Sequence, residues 1–177
     1  MIADSGATTA GAPAVPAVPT FEEFWLERRD PIGRALAMTI GNAQLAAEAV
    51  DEAMARALQR WPQVSEMPHP SAWVYRVGLN WSRSIGKRVR RRPPIWLASA
   101  ASSVDADTTD PSIDAALAAL PLAQRSVVVC RLLLGLSEAQ TAEALRLRPG
   151  TVKSRLSRAV DQLSTTLAHL DPKETDR

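Results

Sequence analysis

The sequence has little of the chemistry that metal centres and cross-linked folds require. Its 177 residues include one cysteine, Cys130, and two histidines, His69 and His169. One cysteine cannot form a disulfide within the chain, and histidines so far apart in sequence lack the ligand spacing of a metal site. Because Cys130 stands inside the apolar run 127–134, we predict a buried small side chain there rather than a redox centre. We expect no metal and no cofactor.

Long apolar runs are also missing. No stretch approaches the roughly 20 apolar residues of a membrane-spanning helix, and the N-terminus lacks the basic start and apolar run of a secretory signal. We expect a protein of the reducing cytoplasm with no membrane insertion. The sequence shows no nucleophile–base pair and no glycine-rich phosphate loop, which argues against an enzyme.

Aromatic residues and charges are unevenly distributed. The five Trp, one Tyr and two Phe all lie between Phe21 and Trp96, so the later part of the chain must build its core from Leu, Val and Ala. Residues 83–92 and 144–160 contain Arg and Lys without any acid, whereas residues 93–124 contain four Asp and no base. The net charge is only +2, but this segregation points to nucleic acid.

Helical periodicity predicts an all-α fold of two small domains joined by a flexible linker. We predict a disordered tail over 1–20, a first domain over 21–92, an acidic linker over 93–112, a second domain over 113–170 and a disordered tail over 171–177. In the first domain, a separate short helix is expected over 31–41, after the helix that begins at Phe21. Asn42 is the expected N-cap of the longer helix that follows.

The strongest motif is a helix-turn-helix pattern over 136–163. Ser137 and Gln140 fit a capping box, and a turn over 146–149 leads into the second helix. We predict that this helix buries a stripe made of Val152, Leu156, Ala159, Val160 and Leu163. Its other side chains suit phosphates and base edges in the major groove of DNA. With Arg148 of the turn, they are Thr151, Lys153, Ser154, Arg155, Ser157 and Arg158. The alternative is a solvated face of an ordinary helical bundle.

A second motif lies over 69–92, where Trp73, Tyr75 and Trp81 lie beside Arg76, Asn80, Arg83, Lys87 and Arg88. Aromatic rings beside cations are how proteins hold unstacked bases and a single-stranded backbone. The alternative is that the tryptophans belong to the core and that the basic run is only solvated.

These motifs together resemble the extracytoplasmic-function (ECF) sigma factors of bacterial RNA polymerase. Residues 136–163, with the string GTVKSRL at 150–156, resemble the region that reads the −35 promoter element. Residues 46–54, AAEAVDEAM, resemble the acidic helix that grips the clamp helices of the polymerase β′ subunit. Residues 69–92 resemble the segment that opens the −10 element. Trp61 and the short chain resemble an actinobacterial subgroup.

The resemblance implies a DNA-binding subunit for transcription initiation, with core RNA polymerase and promoter DNA as partners and commonly an anti-sigma factor as its inhibitor. The implied folds are a four-helix bundle, sigma domain 2, and a helix-turn-helix, sigma domain 4. The implied polymerase contacts are Glu48, Asp51, Glu52 and Arg56. The implied −10 residues are Trp73, Arg76, Asn80, Trp81, Arg83, Lys87 and Arg88. The implied −35 residues are the seven polar side chains of the helix-turn-helix.

The sequence departs from the family pattern at three places. Ala47 stands in the usual acidic pair, Ser84 replaces a common Asp, and Arg146 replaces the usual Gly of the turn. Arg146 is expected to adopt a positive φ with modest strain. Two other functions stay open: a helix-turn-helix transcriptional regulator, which would leave the acidic helix unexplained, and a sigma-like adaptor that binds a partner without initiating transcription.

Overall fold

The computed structural model describes residues 19–91 and 111–168, and within these ranges the regular secondary structure is helical. The helices are α1 Phe21–Ile40, α2 Ala43–Gln59, α3 Trp61–Ser65, α4 Pro70–Arg91, α5 Pro111–Ala119, α6 Leu122–Val128, α7 Glu138–Leu145 and α8 Pro149–Thr166, and a π-helical turn, Val129–Leu133, continues α6. The predicted all-α class is confirmed. Most of the predicted tails and linker lie outside the described residues.

Helix α1 is continuous, so the prediction of a separate short helix over 31–41 is wrong. Pro31 lies inside α1. A proline removes one backbone donor and usually ends or kinks a helix. Here the helix continues because Phe24 before the proline, and Ile32 and Leu36 after it, are all buried in one core.

The start of α1 is fixed by a capping box and by the side chain of Trp61. Thr20 and Glu23 form a capping box, in which the Thr20 N–H donates to the Glu23 carboxylate over 2.8 Å. The Trp61 indole N–H donates to the carbonyl of Pro19 over 3.1 Å. The Trp61 ring also packs against Phe21 and Phe24, with ring centroids 5.4 and 4.9 Å away. These contacts fix where the first helix enters the core.

Helices α1, α2 and α4 form the centre of an N-terminal unit, residues 19–91. Asn42 caps α2 as predicted, since its side chain accepts from the Leu45 N–H over 2.7 Å. Gly78 of α4 lies where the three helices cross. A Cβ atom at Gly78 would meet a Leu36 methyl at 2.8 Å and the Ala49 carbonyl oxygen at 3.0 Å. Only glycine allows the backbones to approach this closely.

Helices α5 to α8 form a C-terminal unit, residues 111–168, with two small cores. One contains Leu117, Leu120, Val128 and Ala159, and the other contains Val127, Ala142 and Val152. These side chains are aliphatic, as the absence of aromatic residues after Trp96 requires.

The two units pack against each other. Four buried residues of the C-terminal unit, Val129, Cys130, Leu136 and Ala144, belong to the same apolar cluster as the core of the N-terminal unit. Cys130 is fully buried, which confirms the prediction that it is a core side chain. The sequence predicted two domains but not that they share an apolar cluster.

Candidate nucleic-acid interface

The helix-turn-helix of the C-terminal unit has the local geometry that its sequence predicts. Ser137 and Gln140 form a reciprocal capping box at the start of α7. The turn is closed by the Leu147 N–H, which donates to the Ala142 carbonyl over 2.8 Å. Ala142 is buried against Val127 and Val152, so a small side chain lies where α7 crosses α8.

Arg146 is the one described non-glycine residue with a positive φ, at 53°. It ends α7 in the left-handed conformation that glycine normally supplies at this position. The predicted positive φ at Arg146 is therefore confirmed. With arginine in place of the usual glycine, an exposed guanidinium lies at the turn.

Helix α8 presents most of its predicted −35 residues to solvent. Lys153, Ser154, Ser157 and Arg158 are exposed, as is Arg148 before the helix. Thr151 and Arg155 are half-buried. On the opposite side Val152 and Ala159 are buried, and Leu156 and Leu163 are half-buried. Val160, at 44% exposure, does not belong to the predicted buried stripe, because at 100° per residue it lies to one side of the other four positions.

The exposed side of α8, which we call the −35 face, is electropositive. Within the described residues no ion pair involves Arg148, Lys153, Arg155 or Arg158. The helix begins at Pro149 without a side-chain cap, so its first backbone N–H groups and its dipole add positive potential beside these cations. Free cations at the start of an exposed helix are what a DNA backbone requires.

The predicted −10 residues lie along one side of α4, which we call the −10 face. Asn80 and Arg83 are exposed, and Trp73 and Trp81 are half-buried against the core. At 100° per residue, all seven positions fall on roughly one half of the helix. Lys87 and Arg88 lie within α4, but their side chains are outside the description.

Tyr75 cannot act as a base-stacking ring, contrary to its place in the predicted aromatic–basic motif. Its side chain is fully buried, and its hydroxyl lies 2.8 Å from that of Thr39. Burial raises the pKa of Tyr75 well above its usual value. Tyr75 is therefore a core residue, whereas Trp73 and Trp81 keep part of their surface accessible.

Arg76 is half-buried and contacts the C-terminal unit. Its guanidinium Nη1 donates to the backbone carbonyl of Glu143 in α7 over 3.4 Å. Partial burial, and then the nearby Arg146, lower the pKa of Arg76. In this arrangement Arg76 contacts the first helix of the helix-turn-helix.

The predicted polymerase contacts lie on the outer face of α2, which we call the acidic face. Glu48, Asp51 and Arg56 are exposed, and Glu52 is half-buried. Arg56 pairs with Glu52 within the helix over 2.7 Å. Arg29 of α1, which the sequence did not indicate, pairs with Asp51 over 2.7 Å, and this hydrogen bond raises the pKa of Arg29. Arg29 also lies over the exposed ring of Trp25.

Comparisons with known proteins identify the family. Residues 111–163 match the family "Sigma-70, region 4". The RNA polymerase sigma-E factor of Streptomyces coelicolor is 31% identical over 156 residues, which span 85% of this chain and 88% of that protein. The ECF RNA polymerase sigma factor SigL of Mycobacterium tuberculosis is 32% identical over 139 residues, 73% of this chain and 78% of that protein. The chain belongs to the ECF RNA polymerase sigma factors.

A solved structure shares the fold of this sigma factor. The sigma factor RpoE of Bartonella quintana, seen in complex with the anti-sigma factor NepR, superposes with a TM-score of 0.68 at 20% identity over 89% of this chain and 98% of that one. The region 4 match runs from the start of α5 to the last turn of α8, which includes the whole helix-turn-helix.

Two further features are absent from the part of the sigma factor that the structure describes. Between residues 19 and 91 and between 111 and 168, no group of His, Cys, Asp and Glu side chains is arranged to hold a metal ion. In the same part of the chain, no helix is both long and apolar enough to cross a membrane.

Proposed function

We propose that this sigma factor directs core RNA polymerase to its promoters through three separate surfaces. The domain over 21–92 binds polymerase and the −10 element, and the domain over 113–170 reads the −35 element. The observation that carries the proposal is the −35 face, where the exposed cations Arg148, Lys153 and Arg158 form no ion pair within the described residues, at the second helix of a helix-turn-helix.

The −35 face is proposed to enter the major groove with the N-terminal half of α8. Arg148 and Lys153 are exposed at that end, and they are suited to phosphate contacts that set the register. Ser154, Ser157 and Arg158 follow on the same side of the helix and are within reach of base edges. Thr151 and Arg155 support this surface from its half-buried edge.

The −10 face is proposed to capture a base from the opened strand. Asn80 is exposed in the middle of this face and can donate and accept hydrogen bonds with a base edge. The partly accessible rings of Trp73 and Trp81 offer stacking surfaces, and Arg83 with Lys87 and Arg88 offers charge for the backbone. Unpairing and flipping a base costs a few kcal/mol, which such contacts offset.

The acidic face is proposed to bind the clamp helices of the polymerase β′ subunit through Glu48, Asp51, Glu52 and Arg56. Polymerase supplies the chemistry, so the sigma factor itself is not an enzyme in this proposal and acts in the cytoplasm. The Bartonella quintana relative is seen with an anti-sigma factor, and we propose a protein of that class as a further partner.

Run-off transcription tests the proposal. Purified core polymerase is incubated with a pool of random promoter sequences, with and without the sigma factor, and the transcripts are sequenced. We expect new start sites that share a −35 and a −10 element. No transcripts and no binding to core polymerase would overturn the proposal.

Two double variants of α8 sharpen this experiment. K153A/R158A removes two cations of the −35 face, and Q162A/S164A is the matched control because it alters exposed positions nearer the end of the same helix. We expect the first variant to lose or change the −35 preference while the −10 element is retained. An unchanged −35 preference would show that α8 does not read that element.

A further inference from the structure

The surrounding turn imposes an unusual backbone conformation on Arg146. The residue has a φ of 53° and a ψ of 49°, in the left-handed region that a residue with a Cβ atom occupies only at a cost. Its backbone N–H donates to the Glu143 carbonyl over 3.2 Å, and the Leu147 N–H donates to the Ala142 carbonyl over 2.8 Å. Leu145 and Leu147, its two neighbours, pack against one of the two small cores of the C-terminal unit. The backbone therefore cannot relax to a negative φ without breaking the turn.

The Arg146 side chain makes no contact that offsets this cost. It is exposed, and within the described residues it forms no ion pair and no side-chain hydrogen bond. It also meets a charge of its own sign. Burial lowers the pKa of Arg76, repulsion by Arg146 lowers it further, and the opposing effect of Glu143 is smaller than both. Arginine at this place is thus unfavourable to the isolated protein in two ways, and glycine would remove both.

The chemistry of Arg146 indicates what could compensate. Residues that hold a strained conformation are concentrated at functional sites, where a ligand gives the strain its use. A guanidinium is always charged and carries five N–H donors in a planar fork, which matches the paired oxygens of a phosphate or a carboxylate. The ligand of Arg146 is therefore an anion.

The place of Arg146 in the helix-turn-helix favours a DNA phosphate over a base edge. Arg146 precedes Pro149, the first residue of α8, by three residues, so their Cα atoms are at most about 11 Å apart. The major groove of B-form DNA is about 12 Å wide. When the first turn of α8 lies within the groove, the residues before α8 consequently lie at the edge of the groove, where the sugar-phosphate backbone runs.

We infer that Arg146 is a further DNA contact of this sigma factor, in which its guanidinium binds a phosphate at the edge of the −35 element. The inference rests on the proposed entry of α8 into the major groove. A phosphate contact carries no sequence information, because every base pair has the same phosphates. Arg146 therefore adds affinity at every promoter and leaves the sequence preference to the −35 face. The usual glycine of the turn cannot supply this contact.

Binding of promoter DNA by the polymerase–sigma complex tests the inference. R146G removes the cation together with the strained side chain, and R146K keeps a positive charge. R34A is the matched control, because Arg34 is an exposed arginine of α1 that forms no ion pair in the described part of the chain and belongs to none of the three proposed surfaces. Each full-length protein, at saturating core polymerase, is titrated at several salt concentrations with the promoters recovered by run-off selection. Urea unfolding and polymerase binding are measured for each variant alongside.

We expect R146G to bind every promoter more weakly than wild type at low salt. One phosphate contact contributes about 0.9 to the slope of log affinity against log salt, so the ratio of wild-type to R146G affinity should fall about 3.5-fold between about 50 and 200 mM salt. R146K should keep most of this slope, and R34A should bind as wild type does. R146G should resist urea at least as well as wild type, which separates a lost contact from a damaged fold.

An R146G complex with the affinity and the salt slope of wild type would overturn the inference. So would a changed −35 sequence among the promoters that R146G selects, since Arg146 would then read bases. A loss confined to the binding of core polymerase would also overturn it, because the ligand would then be a protein carboxylate. In these three outcomes wild type still selects promoters. A wild type that selects none would instead overturn the proposed function, and this inference with it.

Discussion

The hydroxyl oxygens of Thr39 and Tyr75 lie 2.8 Å apart in the interior, far from any solvent. Thr39 also donates to the Ala35 carbonyl of its own helix over 2.8 Å. The Tyr75 hydroxyl is therefore the donor to Thr39, which satisfies the only polar atom of a fully buried ring. This pair joins α1 to α4 beside the apolar cluster that the two units share.

Removal of the Tyr75 hydroxyl and removal of the Thr39 hydroxyl are expected to lower the free energy of unfolding by different amounts. Y75F deletes a donor whose partner keeps another bond, and we expect it to lower the free energy of unfolding by about 1 kcal/mol. T39V removes the oxygen acceptor of the tyrosine hydroxyl, which then has only the weakly accepting Cys130 thiol beside it, and is expected to lower the free energy of unfolding by about 1–3 kcal/mol. The measurement is urea unfolding. T165V is the control, since Thr165 bonds its own helix in the same way at an exposed site. A loss from T165V as large as that from T39V would contradict this account.

The pH dependence of stability follows from Cys130. Burial raises the pKa of its thiol to about 12, whereas the thiol of the unfolded chain has a pKa of about 8.5. The unfolded chain therefore releases a proton that the folded protein retains, so stability is complete below about pH 8 and falls as pH rises through about 9 to 12. The expected slope is about 1.4 kcal/mol per pH unit.

The variant C130A isolates this contribution. Without the thiol, the fall in the free energy of unfolding is expected to begin only at about pH 10, where Tyr75 ionises in the unfolded chain. Unfolding curves at several pH values compare the two proteins. Identical pH profiles would mean that the thiol does not ionise differently in the two states.

The turn of the helix-turn-helix can be relaxed by one substitution. Arg146 holds a positive φ that costs a side-chain-bearing residue about 1–2 kcal/mol, part of which glycine recovers. We expect R146G to raise the free energy of unfolding by about 0.5–1 kcal/mol. Arg148 has an ordinary extended φ of −75°, so R148G serves as the control and is expected to give no such gain. A stabilisation by both variants would locate the effect elsewhere.

Lys153 is expected to contribute affinity rather than sequence preference. Because its ammonium contacts phosphate in the proposed complex, K153A should weaken binding to all promoters alike and reduce the slope of log affinity against log salt by about 1. Binding of the polymerase–sigma complex to promoter DNA is titrated at several salt concentrations, with Q162A as the control. An unchanged salt slope would remove Lys153 from the interface.

The acidic face makes a separate prediction about polymerase. D51A should weaken the binding of core polymerase several-fold, while its effect on stability stays below about 1 kcal/mol because the pair with Arg29 is exposed. E27A is the matched control, since Glu27 is an exposed acid of α1 that pairs with Arg28 beside it. Both variants are compared by binding titration with core polymerase. Equal affinities would place the polymerase contact away from Asp51.

Helix caps and turns could be predicted because they depend on residues close together in the sequence. Features that depend on contacts between distant residues could not. The capping box at Ser137, the N-cap at Asn42 and the strained turn at Arg146 are all set within a few residues of sequence, so each was predicted correctly. Tyr75 was assigned to an aromatic–basic motif because sequence spacing does not show what covers a ring.

The wrong predictions and the missed Arg29–Asp51 pair also concern contacts that lie outside a single helix. Pro31 did not end α1, because burial on both sides of it outweighs one lost hydrogen bond. Val160 lies at the edge of the helical stripe of α8, and 44% of its surface stays exposed. Arg29 stands 22 residues from its partner Asp51, and no local pattern joins them. Sequence patterns describe single helices. The continuity of α1, the exposure of Val160 and the pairing of Arg29 with Asp51 depend instead on how helices pack against one another.

The apolar cluster shared by the two units also links their stabilities. Cys130, Leu136 and Ala144 are buried in the same cluster as the core of the N-terminal unit. A substitution on one side of this cluster therefore uncovers apolar surface on the other side as well, at a cost of about 0.8 kcal/mol for each buried CH2 that is lost from the contact. Damage to the helix-turn-helix unit would in this way also weaken the unit that carries the acidic face.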